Sequence, residues 1–176
     1  MKVLTDIMNT KKSTLLGVGP MSVNCVDAAI ELANENNIPL MMIASRRQVD
    51  SKDMGGGYVN NWTTEEFSKY VNSNDSNSLI ILSRDHGGPY QNNIEYENKL
   101  NLEEAMRSAK KSFEIDIINN FKIIHIDPSV DPLGNLNVEI ILDRLKELYA
   151  FCIETSKIHN KDIQIEVGTE EQSGGT

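Results

Sequence analysis

Asp85 and His86 stand side by side in the run Ser83-Arg84-Asp85-His86-Gly87-Gly88-Pro89. A carboxylate can carry a proton, and a neutral imidazole is the commonest transition-metal ligand, so the pair suits metal-assisted proton transfer. In an ideal strand, alternation would send the two to opposite sides. A strand end that turns into a glycine-rich loop can swing both into one cavity. The competing reading is a loop cap next to an ordinary polar histidine.

A second polar set lies in Ile123-Ile-His125-Ile-Asp127-Pro-Ser129. Here His125 and Asp127 share one face, opposite Ile124 and Ile126. Gln164 and Glu166 repeat the arrangement against Ile163, Ile165 and Val167. Strands of a parallel sheet are usually apolar on both faces, so this polar side must meet a cavity or a filled barrel lumen. His125 and Gln164, deeper in their strands, are expected to sit in a hydrogen-bonded layer. Asp127 and Glu166, at the strand tips, are expected to face the site. For an oxyanion, Arg46 and Arg47 are candidates because a guanidinium grips phosphate bidentately. The Gly55-Gly56-Gly57 run could offer backbone N–H groups to the same anion, or serve as a hinge or turn. Gly17-Val18-Gly19-Pro20 lacks the third glycine of a dinucleotide fingerprint, which excludes an NAD site there. His159, between Lys157 and Lys161, is read as structural.

The elements that must carry these groups show as five short apolar runs, at 14–18, 39–44, 78–82, 122–126 and 162–167. Each is bounded by polar residues and reads as a buried strand. Helix patterns lie between them. Val26, Ala29, Ile30 and Ala33 form a stripe after Ser22. Thr63 and Glu66 look like a capping box, and Asn101 can cap a helix. Val138, Ile141, Leu142, Leu145, Leu148, Tyr149 and Cys152 repeat at threes and fours. Alternation of this kind predicts an α/β fold with a parallel sheet and outer helices. Stretches 45–61 and 84–100 read as long loops after strand C-termini, where such folds place ligand sites.

The 176 residues fit a single domain, with 17 Lys+Arg against 26 Asp+Glu and a formal net charge of -9. That acidity disfavours nucleic acid and anionic membranes, both of which need a positive field. No apolar run approaches the ~20 residues that span a bilayer, and the N-terminus turns polar too early for a secretory core. Cys25 and Cys152 form no CxxC, which points to a reducing cytoplasm.

Read together, these motifs resemble the D-tagatose-1,6-bisphosphate aldolase non-catalytic subunit family. Gln48-Val-Asp50, then Gly56-Gly57-Tyr58 and Thr63, resembles its loop after the second strand. Ile81-Leu-Ser-Arg-Asp-His-Gly-Gly-Pro89 resembles its Asp-His-x-Gly-Pro segment, and Lys122-Ile-Ile-His-Ile-Asp-Pro-Ser129 its fourth strand. Glu166-Val-Gly-Thr-Glu170 with Gly174-Gly175 resembles its fifth. The order holds from Leu16 to Gly175.

The resemblance implies a (β/α)8 TIM barrel related to class II, metal-dependent sugar-phosphate aldolases, acting on a ketose phosphate such as tagatose 1,6-bisphosphate. By motif, Asp85 would transfer the proton and His86 would hold Zn2+, with Asp127 and Glu166 as further metal ligands. Arg46, Arg47, Gln48, Gly56, Gly57 and Ser129 would meet substrate and phosphate. Further histidine ligands in such aldolases come from later strands. The family resembled is that of companion subunits, so a role stabilising a separate aldolase is the alternative, and a TIM-barrel epimerase or isomerase a further one. Eight strand–helix units need about 250 residues, so five units predict the N-terminal part of a longer barrel. Its open edges would favour a partner subunit or a homo-oligomer.

Overall fold

The computed structural model describes residue 9 and residues 14–134 and 136–169. Glu170, Gly174 and Gly175 of the fifth motif lie outside the described residues. Five parallel strands pair in sequential order: β1 (Gly17–Val18), β2 (Leu40–Ser45), β3 (Ile80–Gly87), β4 (Ile123–Ile126) and β5 (Gln164–Val167). Between them run α1 (Val23–Asn36), α2 (Thr64–Asn74), the short α3 (Asn93–Glu97), α4 (Leu102–Ile118) and α5 (Val138–Ile158). Parallel strands that each pair with the next, through crossovers of one hand, keep their helices on one face. Accordingly α1 touches α2, α2 touches α4 and α4 touches α5. The result is a partial, barrel-like α/β sheet, the expected fold class.

The strand pattern sets the two faces. Leu40, Met42 and Ala44 are buried under the helices, whereas Met41, Ile43 and Ser45 are only half-buried on the other side. Val26, Ala29, Ile30 and Ala33 of α1 join Phe67 and Val71 of α2, Phe113 and Ile117 of α4, and Leu148 and Cys152 of α5 in the core. The caps follow the sequence. Ser22 accepts from the Cys25 N–H, Thr63 and Glu66 close a capping box, and Asn101 accepts from the Glu104 N–H.

Three expectations need correction. The first strand is two residues, not five, with Gly17 and Val18 alone in register with Met41 and Met42. β3 does not end at Leu82 but continues through Asp85 and His86 to Gly87, and α3 occupies part of the expected loop after it. The stretch after β2 is organised by a 3-10 turn (Lys52–Met54) and a bridge between Asp50 and Thr63.

Polar residues hold these segments in place on the helix side of the sheet. Arg84, 1% exposed, grips Asp116 of α4 through Nε at 2.8 Å and Nη2 at 2.6 Å. Its Nη1 donates to the carbonyls of Ala44 and Val49. Arg46, equally buried, donates to Asp50 and to the Gly88 carbonyl and meets Glu95 at 2.7 Å. Asp50 also accepts from Asn92 and Ser112. Buried charges persist only when paired and hydrogen-bonded, and these are. The loops after β2 and β3 are thereby fastened to each other and to α4.

Gly57 shows how closely the first loop is packed. A Cβ there would stand 2.0 Å from the Gln48 carbonyl oxygen, a backbone atom that cannot swing aside. Gly57→Ala is expected to cost about 2 kcal/mol, within the range for overpacking, read as a lowered urea midpoint.

Candidate functional site

Between Arg84 and Gly87 the register of β3 against β4 shifts, with Arg84 opposite Ile124 and Gly87 opposite Ile126. An extra residue in one strand is a bulge, which re-aims side chains. His86 takes φ 42°, a left-handed conformation uncommon for a side chain of this size. Strict alternation is thereby broken, and the adjacent Asp85 and His86 both reach one cavity of about 400 Å³. Ser45, Arg47, Gln91, Asp127 and Val130 complete its wall. It lies at the C-terminal ends of β2, β3 and β4.

His125 comes up beside the pair from β4. Its ring centroid is 5.0 Å from that of His86, and its Nδ1 lies 3.6 Å from Asp85 Oδ1. The His86 backbone N–H donates to that same Nδ1 at 3.3 Å. His86 Nε2 faces Asp85 Oδ1 at 3.4 Å. Among the described residues, His125 Nε2 is buried without a hydrogen-bond partner. The side chains are 35% (Asp85), 23% (His86) and 10% (His125) exposed, so the cluster opens to solvent at Asp85.

Electrostatics follow from this packing. Burial pulls the Asp85 carboxyl upward, but the hydrogen bond to His125 and the charges of His86, His125 and Arg84 outweigh it. Its pKa therefore lies below the usual carboxylate value, and it is ionised at neutral pH. His125 moves the other way. The hydrogen bond to Asp85 raises it against burial, and Glu166, Asp127 and Asp85 add to the rise.

Donor atoms of Asp85, His86 and His125 all lie within 4.8 Å of one another. Zinc bound tetrahedrally at ~2.0–2.1 Å needs donors roughly 3.4 Å apart. The 3.4 Å from Asp85 Oδ1 to His86 Nε2 and the 3.6 Å to His125 Nδ1 are of that size, and a cation on His125 Nδ1 would displace the His86 N–H that donates there. His125, read from the sequence as part of a hydrogen-bonded layer, belongs to this set. The signal was in the alternation of β4, which puts it on the lumen face in register with Glu166.

The other expected residues divide. Asp127, its side chain 1% exposed, lies beside the cluster rather than in it, hydrogen-bonded to His86 Nδ1 at 2.9 Å. Glu166 is exposed on β5 and acts on His125 through its charge, outside the set of close donors. Ser129 is buried, and its N–H and hydroxyl both donate to Asp127. Arg47 lines the cavity and is exposed. Arg46 is committed to Asp50 and Glu95, so a phosphate would have to displace two buried carboxylates. Gly56 and Gly57 donate their N–H groups to the carbonyls of Ser51 and Trp62, which leaves no cradle for an anion. The Gln48 side chain accepts from the Ser45 N–H and donates to Met21 Sδ, bracing the loop. Gln91, overlooked in the sequence because it sits in an apparent loop, joins the cavity wall and donates to Asp127. Cys152 is no nucleophile, since burial pushes its thiol up to about 12.

A parallel α/β sheet of barrel type with an acid–imidazole cluster at its strand tips defines the class: a TIM-barrel-like protein with a candidate metal centre. A sequence model of the D-tagatose-1,6-bisphosphate aldolase subunit GatZ/KbaZ-like proteins matches residues 3–175, so the chain belongs to that family. In structure it is similar to a protein from Sinorhizobium meliloti 1021 described as a probable tagatose 6 phosphate kinase. The TM-score is 0.74 at 22% identity, over 90% of this chain and 39% of that one. That likeness concerns the fold, and this chain spans about two fifths of the neighbour's length. Among the described residues no helix is long and apolar enough to cross a membrane.

Proposed function

We propose that this chain carries the proton-transfer and cation-binding corner of a class II, divalent-metal-dependent aldolase site for a ketose phosphate. The observation that carries this reading is the Asp85–His86–His125 cluster opening into a cavity that Arg47 also lines. When bound there, Zn2+ or a similar ion would supply Lewis-acid polarisation of a ketone oxygen. Arg47 supplies the positive charge for a phosphate.

Retro-aldol cleavage of a ketohexose bisphosphate breaks the C3–C4 bond, removes the C4 hydroxyl proton and returns a proton to C3. Asp85, ionised at neutral pH and partly exposed, would bind the cation through Oδ1 and use its second oxygen to accept the first proton and to deliver the second. General acid–base catalysis by one such group contributes about 100-fold or more. Asp85→Asn is therefore expected to lower zinc-dependent cleavage of tagatose 1,6-bisphosphate by at least ~100-fold, measured as triose phosphate release. Cleavage undiminished in that variant would refute Asp85 as the proton carrier.

A second reading is supported by the family description, which names an aldolase subunit. On that reading the chain binds and stabilises a separate aldolase in the cytoplasm and cleaves nothing itself. Mixing the two proteins separates the readings: a companion raises the partner's thermal midpoint and half-life, and Asp85→Asn leaves that effect intact.

A further inference from the structure

We propose that Asp127, held by Gln91 and Ser129, is a positioning residue that fixes the tautomer of His86, with the proton on Nδ1 and the Nε2 lone pair towards Asp85. The proposal rests on the cation-site reading above and adds to it three residues that do not themselves ligate.

Asp127 offers four acceptor positions, and all four are engaged. Oδ1 takes the Ser129 N–H at 3.0 Å and the Ser129 hydroxyl. Oδ2 takes the Gln91 Nε2–H at 2.8 Å and faces His86 Nδ1 at 2.9 Å. A carboxylate only accepts, so the proton in the last contact must belong to the imidazole. In the neutral ring, the form that can bind a metal, this is the Nδ1–H tautomer, which turns the Nε2 lone pair towards Asp85 Oδ1, 3.4 Å away. Asp127 is thereby excluded as a ligand, since binding a metal would strip donors from a carboxylate that is almost wholly buried.

Gln91 ties this unit to the loop after β3. Its neighbours are anchored, with the Tyr90 N–H on Glu95 and the Asn92 amide on Asp50. The Gln91 amide therefore reaches Oδ2 from a fixed base and holds that oxygen in line with the His86 ring. Ser129, two residues beyond Asp127, holds the other oxygen from the β4 side. The orientation of His86 thus depends on two loops at once.

The test is long-range nitrogen NMR on ring-labelled histidine, paired with zinc titration calorimetry, for wild type, Asp127→Asn and Gln91→Leu. In Asp127→Asn the fixed Ser129 N–H demands an oxygen at the Oδ1 position. The amide nitrogen then falls at the Oδ2 position and donates to Nδ1, driving the His86 proton to Nε2. Wild type is expected to show the Nδ1–H form and Asp127→Asn the Nε2–H form. Zinc affinity is expected to fall about 10–100-fold in Gln91→Leu, the usual effect of losing an outer hydrogen-bond partner, and further in Asp127→Asn. Gln91→Leu keeps the carboxylate and serves if the Asn variant fails to fold. An Nε2–H form in wild type, or an unchanged tautomer and zinc affinity in both variants, would overturn the proposal. If the tautomer inverts as described while wild type takes up no zinc, the positioning role stands and the cation-site reading falls.

Discussion

Asp116→Ala is expected to lower stability by about 3–5 kcal/mol, the cost of leaving one partner of a buried ion pair alone. Asp116 is fully buried and meets the Arg84 guanidinium at 2.6 Å and 2.8 Å. Without it, Arg84 keeps two carbonyl partners, a weak contact to Thr64, the face of the Phe121 ring and the more distant charge of Asp50, none of which replaces a hydrogen-bonded carboxylate. A loss of that size is a large share of the ~5–15 kcal/mol that holds a typical domain folded. Arg84→Met combined with Asp116→Leu is expected to lose less than the single variant, because no charge is stranded. It does not return to wild type, since the Ala44 and Val49 carbonyls lose their donor. Urea melts of the three proteins check this. A single variant within 1 kcal/mol of wild type would show that the pair does not hold the sheet to α4.

His125→Ala is expected to weaken zinc binding by more than about 100-fold, since even outer partners of a metal site cost 10–100-fold. Glu166→Gln should cost ~5-fold or less, the worth of an exposed charge that contributes only through space. The contrast is sharp because the residue pattern alone ranks the two the other way. Glu166 sits at a strand tip and His125 inside its strand, yet the donors cluster around His125. Calorimetric titration of both variants measures it. Equal losses would return Glu166 to the ligand set.

The general architecture was legible because its signals are local. Short Ile- and Leu-rich runs, a stripe on α1, the Thr63–Glu66 box and the Asn101 cap each declare an element without reference to the rest of the chain. Asp85 and His86 were legible as a pair, and the cavity they share was expected from their place near a strand end. The bulge that turns both inward was not, because it arises from a register slip between two strands 40 residues apart in sequence. Arg46 shows the same limit. Beside Arg47 it reads as a loop cation, but its partners Asp50, Glu95 and the Gly88 carbonyl come from two segments that meet only on folding. The glycine run was open between an anion cradle and a turn on composition alone, and the turn takes up the N–H groups of Gly56 and Gly57 internally.

The central claim is that the slip in β3 brings Asp85 and His86 together with His125 around one position suited to a divalent cation. Anomalous diffraction from crystals grown with zinc tests it most directly. A single strong peak within ~2.0–2.2 Å of Asp85 Oδ1, His86 Nε2 and a His125 ring nitrogen is the predicted result. A peak held instead by Asp127 and Glu166, or none in the cavity at saturating zinc, would contradict it.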